Sequence, residues 1–289
     1  MTEAIHTQLP DGRYRIAYRR TLPEEPRPAA LVMAGSPPGL LRALAESAAR
    51  TGDTVPVVIE GGEPLPGGPP DAVHLRGAGV DDDVWALVRA RWTPVGLIWA
   101  GGGENAAEEL EGSLAWLLHW ARSGLDAPLV VGVADQPPAG ALLTQVAREV
   151  THAGSPPWTV LGHPGVGGLV GGGTPAGSVL EQMWRVPAGP WTKPPRHRDA
   201  YAHVEDVARA YLAAWRHLAG GGGAGLGTVG LAVRFSEDMV RRALCGTVGG
   251  EGVPVPLAAA DTALPLPPAR PWSALIRAVR ESGKGGCRA

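Results

Sequence analysis

One unit recurs from residue 28 to residue 165: a short apolar run, a turn bearing glycine or proline, then a stretch with apolar residues at helical spacing. The first copy is the clearest. The run 29–34 has strand length, Gly35-Ser36-Pro37-Pro38-Gly39 is a turn, and Leu40, Leu41, Leu44 and Ala48 make a helical stripe that Gly52 ends. A second strand follows over 54–59, with Glu60 at its end and Gly61-Gly62 breaking it. The pattern then predicts strands over 72–75, 95–99, 129–133 and 158–161. Between them it predicts helices after Asp81-Asp82-Asp83, over 104–123 and over 141–152. The three aspartates suit a helix N-terminus, where carboxylates satisfy free N–H groups. In the 104–123 helix, Leu110, Leu114, Leu117 and Leu118 mark the expected buried face.

Strand alternating with helix implies a parallel sheet covered on both faces. Right-handed crossovers make it an α/β, Rossmann-like doubly wound sheet. The expected organisation is an N-terminal extension over 1–27, the Rossmann-like core over 28–218, and a small, less regular C-terminal part over 219–289 that covers substrate. The sequence predicts a helix at 204–218 closing the core, then a strand at 228–233 and helices at 236–244 and 271–282 in the C-terminal part.

Composition excludes several function classes. Acidic and basic residues nearly balance, 28 against 26, so no basic stripe argues for nucleic acid. No apolar run reaches membrane-spanning length, and the first residues carry no apolar core of a signal peptide. The two cysteines, Cys245 and Cys287, form neither a disulfide framework nor a metal site, and the expected compartment is the cytoplasm. The chain has only two lysines, Lys193 and Lys284; arginine carries nearly all the positive charge.

The sharpest local feature is Gly35-x-x-x-Gly39 between a strand and a helix, with the acid Glu60 beyond it. Glycine allows the tight turn and lets N–H groups approach a pyrophosphate. A carboxylate at the end of the second strand binds ribose hydroxyls and repels a 2′-phosphate, which favours NAD over NADP. Gly35, Ser36, Gly39, Glu60 and, after the fourth strand, Gly101 are the candidate cofactor-binding residues. Against this, Pro37 and Pro38 remove two N–H groups from the loop, and Leu41 stands where a third glycine belongs. NAD and an empty nucleotide fold are the two alternatives.

Several segments resemble the short-chain dehydrogenase/reductase superfamily over about residues 28–245. Ala34-Gly35-Ser36-Pro37-Pro38-Gly39 is similar to its first glycine turn, and Trp99-Ala100-Gly101-Gly102 to its turn after strand four. His163-Pro164-Gly165 looks like its PG turn, and Ala202-His203-Val204-Glu205-Asp206-Val207-Ala208 like the HVxDVA segment of extended, epimerase-like members. Tyr14–Arg20 followed by a half without a good glycine motif is also similar to the structural half of polyketide ketoreductases, which keeps the fold and binds no cofactor. The resemblance implies catalysis by a tyrosine with a lysine four residues on. This chain departs there: neither lysine lies four residues after Tyr14, Tyr18, Tyr201 or Tyr211. Aligned back from the PG turn, the tyrosine position falls near Gly132 and the lysine position near Gln136. A tyrosine without a cation beside it keeps a pKa of about 10 and is a poor base at pH 7.

Other residues at the expected carboxyl edge are candidates for acid/base work. Asp135 follows strand five and His163 follows strand six. Tyr201 and His203 precede the 204–218 helix. Their structural readings are a loop turn, a satisfied loop histidine, and packing with N-capping. Trp158, Trp184 and Trp191 could wall an apolar pocket, or simply be core. The expectation is an atypical superfamily member of specialised metabolism, acting on an apolar, polyketide-like small molecule by cyclisation, isomerisation or dehydration. The alternatives are a non-catalytic subunit of an active enzyme, and an NAD-dependent oxidoreductase with relocated groups. Expected partners are the small-molecule substrate and a protein: a second copy of the chain, a partner enzyme or a carrier protein. No nucleic acid, membrane or metal is expected.

Overall fold

A computed structural model describes residues 2–8, 14–20, 26–35, 38–61, 71–77, 79–101, 106–134, 137–163, 165–167, 169–170, 174–175, 200–223, 225–228, 232–234, 254–255, 270 and 272–282. Strands β1 (Thr2–Gln8) and β2 (Tyr14–Arg20) form an antiparallel hairpin. The main sheet then builds from β3 (Ala29–Ala34), β4 (Val55–Glu60), β5 (Val73–Arg76), β6 (Thr93–Trp99), β7 (Leu129–Ala134) and β8 (Trp158–His163). Helices α1 (Pro38–Ala49), α2 (Asp82–Arg91), α3 (Ala106–Ser123) and α4 (Pro137–Val150) fall between these strands, with β4 and β5 consecutive among the described elements. A seventh strand, β13 (Gly225–Thr228), completes the order β13-β8-β7-β6-β3-β4-β5. Every neighbouring pair is parallel.

Parallel pairing puts all the strand ends on one edge. Gly35, Glu60, Ala100 and His163 therefore lie along it, as the repeated run-and-turn unit predicts. Asp135 and Ser36 lie outside the described residues. The strand order reverses beside β3, whose neighbours are β4 and β6, so the turns at Gly35 and Gly101 flank the point where such sheets bind ligands.

Side chains alternate across the sheet, as period-2 geometry requires. Leu31, Met33, Ile98, Val130 and Leu161 face one layer, made by α1 and α5 (Val204–Ala219). Val32, Leu97, Val131 and Val160 face the other, made by α2, α3 and α4. Leu31, Met33, Leu97 and Ile98 are wholly buried, each contributing roughly 1.5–3 kcal/mol. Gly96 in β6 leaves room for Trp215 of α5, whose indole N–H donates to the Val95 carbonyl at 3.2 Å.

A second, four-stranded sheet has the order β15-β14-β12-β9. Its members are β9 (Gly165–Gly167), β12 (Ala200–His203), β14 (Ala232–Arg234) and β15 (Pro254–Val255). Two-residue pieces β10 (Leu169–Val170) and β11 (Thr174–Pro175) pair with each other, and α6 (Trp272–Ser282) closes the described chain. No helix among the described residues is long and apolar enough to cross a membrane.

Local boundaries correct the sequence reading in four places. Helices α1 and α4 begin at Pro38 and Pro137 rather than after their prolines. Proline suits the first helical position, where its missing N–H is unused. The strand expected at 228–233 is two strands in two sheets, β13 and β14. The core sheet thus extends past residue 218. In α3 the fully buried stripe is Glu109, Ser113, Trp116, Leu117 and Trp120, while Leu110, Leu114 and Leu118 are only partly covered. The segment 236–244 is outside the described residues.

Candidate active site

The two glycine turns meet at the reversal point. Gly35 has φ +119°, and a β-carbon there would stand 2.3 Å from the Gly101 carbonyl oxygen. Gly101 has φ +82° and is itself buried. A side chain on its α-carbon would meet Glu109 Oε1 at 2.8 Å and His163 Nε2 at 3.1 Å. Only glycine fits either position, both for the left-handed backbone and for the space.

Behind Gly101 three polar side chains converge. Helix α3 carries Glu109 on its buried stripe, and β8 ends on His163; their exposures are 4% and 1%. Glu109 Oε1 lies 3.9 Å from His163 Nε2, an ion-pair distance rather than a hydrogen bond. The imidazole meets the ring of Tyr211, from α5, edge-on at 5.7 Å between centroids. Tyr211 is fully buried, and its hydroxyl stands over Gly132 of β7. Ser113 braces the group: its hydroxyl accepts from the Trp99 indole at 3.0 Å and lies within donating distance of the Glu109 carbonyl, 2.8 Å, and the Gly132 carbonyl, 3.0 Å. Carboxylate, imidazole and phenol therefore bridge the carboxyl ends of β6, β7 and β8 from one helical layer to the other.

Glu60 and Gly39 bear on the dinucleotide alternative. Glu60 is buried at the end of β4, and its Oε1 is bonded to His74 Nδ1 of β5 at 2.6 Å. Gly39 is buried within the first turn of α1, with ordinary helical backbone, behind the N–H-less Pro38. Gly35 and Gly101 supply the close turn a dinucleotide needs. The phosphate donors and the ribose acid fit less well, since proline occupies the helix start and a histidine already holds the carboxylate. The donor set for NAD is incomplete among the described residues.

His203 belongs to a different cluster. It caps α5, its Nδ1 accepting from the Glu205 N–H at 3.3 Å. The Arg270 guanidinium lies 3.3 Å from both ring nitrogens. Arg270 also bonds Glu205, and its backbone N–H donates to buried Asp206 at 2.6 Å. Burial first, then Arg270, holds the His203 imidazole below its ordinary value, against the pull of Asp206 and Glu205. Tyr201 is placed in β12, paired with Gly165 and Val233. The structure thus joins His163 to Glu109 and Tyr211, and assigns His203 to the α5 cap. Trp158 is core in β8; Trp184 and Trp191 lie outside the described residues, as do Gln136 and both cysteines. Gly132, the aligned tyrosine position, is a strand residue under another tyrosine.

No known family profile matches this chain, and no curated protein does. Solved structures do. The UDP-glucose 4-epimerase of Thermus thermophilus, in complex with NAD, superposes with a TM-score of 0.60 over 89% of this chain and 100% of that one, at 16% identity. The UDP-glucose 4-epimerase of Thermotoga maritima, with UDP-glucose, gives 0.59 over 88% and 98%, at 14% identity. The terminal R domain from the myxalamid PKS-NRPS biosynthetic pathway gives 0.52 over 90% and 91%, at 12% identity. The chain shares the fold of these epimerase and R-domain structures, an α/β, Rossmann-like doubly wound sheet. The resemblance read from the glycine turns, the PG turn and the HVxDVA-like segment therefore holds at the level of the fold. Within this fold, the chain's own polar edge is built from Glu109, His163 and Tyr211. Sequence reasoning named only His163. Trp116 and Trp120, four residues apart, point back through Ser113 to Glu109 and were the available signal for it.

Proposed function

We propose that this chain is a non-redox enzyme that moves a proton on a small, largely apolar carbonyl compound, as an isomerase, cyclase or dehydratase does. The observation that carries the reading is the Glu109–His163 pair, buried behind Gly101 at the carboxyl edge of the sheet. His163 is the general base and acid. Glu109 is its positioning residue, orienting the ring and stabilising the imidazolium formed when it takes a proton. The Tyr211 phenol, edge-on to His163, restricts the ring's motion. The missing tyrosine–lysine pair supports chemistry without hydride transfer. The epimerase and R-domain neighbours support a small-molecule biosynthetic setting.

The test is deuterium wash-in. A panel of β-ketoacyl thioesters is incubated with the protein in D2O, without nicotinamide, and the α-C–H signals are followed by NMR. Exchange is expected for at least one substrate. His163→Ala should lower it by about 10²–10⁴-fold, the usual worth of a general base. Conversion that requires added NADH or NADPH would overturn the reading.

One observation favours a second reading, a subunit that keeps the fold without chemistry. Glu60 is engaged by His74 and the first helix starts on proline, as in a nucleotide fold that has stopped binding nucleotide. Loss of a partner enzyme's activity on removal of this chain, with no wash-in by the chain alone, would select it.

A further inference from the structure

On the α1–α5 face runs a groove of about 460 Å³ that the proposed chemistry does not use. It lies between the C-terminal turn of α1 and the length of α5, with Arg270 at one end. Among the described residues four guanidiniums line it, from Arg50, Arg209, Arg216 and Arg270, against one lining carboxylate, Glu205. The chain as a whole carries a net charge of −2, so this concentration is local and not a reflection of a basic protein.

The four arginines divide into two pairs. Arg270 and Arg209 are committed: Arg270 to Glu205 and Asp206, Arg209 to Asp206 at 2.5 Å. Arg50 and Arg216 meet no carboxylate among the described residues. Arg50 donates to the Glu46 carbonyl at 3.2 Å and to the Ser47 hydroxyl at 3.1 Å, which orders its guanidinium and leaves its charge unbalanced. Arg216 stands exposed one helical step beyond Ala213, and its side chain makes no hydrogen bond among the described residues. The rest of the lining is apolar Leu212 and Ala213 with Ser47 and Thr51, of which the Thr51 hydroxyl already donates to the Ala48 carbonyl at 2.7 Å.

We infer that this groove binds a phosphomonoester. The dianion sits between Arg50 and Arg216 and accepts from Ser47, and its organic part lies along Leu212. Planar guanidiniums suit phosphate oxygens, and two of them balance a charge of two. The competing explanation is local. Arginines at the ends of α1 and α5 also neutralise the negative poles of those helices.

Phenyl phosphate and inorganic phosphate, titrated into the full chain by calorimetry at constant ionic strength, separate the two. Phenyl phosphate is expected to bind more tightly than inorganic phosphate, and phenyl sulfate, a monoanion, more weakly than either. Arg216→Gln should weaken phenyl phosphate by about tenfold or more, the worth of a charged hydrogen bond. Arg50→Gln should do the same; because Arg50 also caps α1, Arg216→Gln is the variant that decides if Arg50→Gln fails to fold. Arg89→Gln, on α2 away from the groove, should leave binding unchanged. No binding of phenyl phosphate, or equal binding by wild type and Arg216→Gln, would overturn the proposal. So would an equal response to sodium chloride alone.

Discussion

The Tyr211 hydroxyl lies so close over Gly132 that a β-carbon there would meet it at 1.6 Å. Helix α5 reaches the sheet at this point only because β7 offers no side chain. Gly132→Ala should therefore destabilise the fold by about 1–3 kcal/mol, the usual cost of overpacking a core. The shift in urea midpoint measures it. Tyr211→Phe should rescue little, since the ring carbon bearing the hydroxyl would still be only 2.7 Å away. Full rescue by Tyr211→Phe would mean that the ring is free to retreat.

Gly101→Ala probes the proposed site without replacing either member of the Glu109–His163 pair. The residue adopts φ +82°, and its added methyl would press on both Glu109 and His163. Forcing a side chain into that backbone costs about 1–3 kcal/mol. The expected result is a lower melting temperature together with a loss of proton exchange larger than that fall explains. Wild-type exchange in a folded Gly101→Ala protein would place the chemistry elsewhere.

The His203 cap predicts a pH dependence with a definite sign. Its pKa is lowered in the folded state, so below the ordinary value of 6.5 the unfolded chain binds the proton more readily. Stability from this group is complete above about pH 6.5 and is lost as pH falls through the folded-state value. Burial shifts His119 in the same direction. Urea midpoints should fall between pH 7.5 and pH 5.5. His203→Asn keeps an N-cap acceptor without titrating, and its midpoint should fall less over that range. An equal fall in both proteins would remove His203 from the account.

Asp206 ties the end of the chain to α5. It is 3% exposed and accepts the Arg270 N–H from 64 residues away. Asp206→Ala should cost about 2 kcal/mol or more, as loss of a charged acceptor leaves a donor unmet. Hydrogen exchange should show α6 opening before the main sheet does. Uniform protection loss across all helices would argue that α6 is held by other means.

Glu60 gives the dinucleotide question a direction. If one binds, its carboxylate should disfavour a 2′-phosphate; two charges about 4 Å apart interact by roughly 4 kcal/mol at an effective dielectric of 20. Parallel calorimetry should show NAD bound more tightly than NADP, and Glu60→Ala should erase the difference. Tighter binding of NADP by the wild type would count against that role.

The sheet was legible because its signals are local. Apolar runs of strand length, glycine turns and stripes such as Leu40, Leu41 and Leu44 each act within a few residues. They placed Gly35, Glu60, Ala100 and His163 on one edge correctly. What escaped was set by tertiary packing. Glu109 reads as a solvent charge on an amphipathic helix until Trp116 and Trp120 turn that face inward. Tyr211 is one more residue of an α5 stripe until Gly132 gives it a place to sit. His74 and Glu60 meet only because β5 lies beside β4, a pairing that a separation of fourteen positions along the chain does not announce. His203 meets Arg270, sixty-seven residues on, through tertiary packing that its position before α5 does not announce.

Strand β13 carries a practical consequence. It arrives from beyond α5 and pairs along β8 from Thr159 to Gly162. A fragment ending after α5 would keep every helix of the doubly wound layers and still lose this cover. The outer rim of β8, a strand buried along its whole length, would then offer open N–H and carbonyl groups to any passing chain. Shortened versions should aggregate edge to edge rather than merely melt earlier, so the segment beyond α5 acts as a built-in guard on the solubility of the rest.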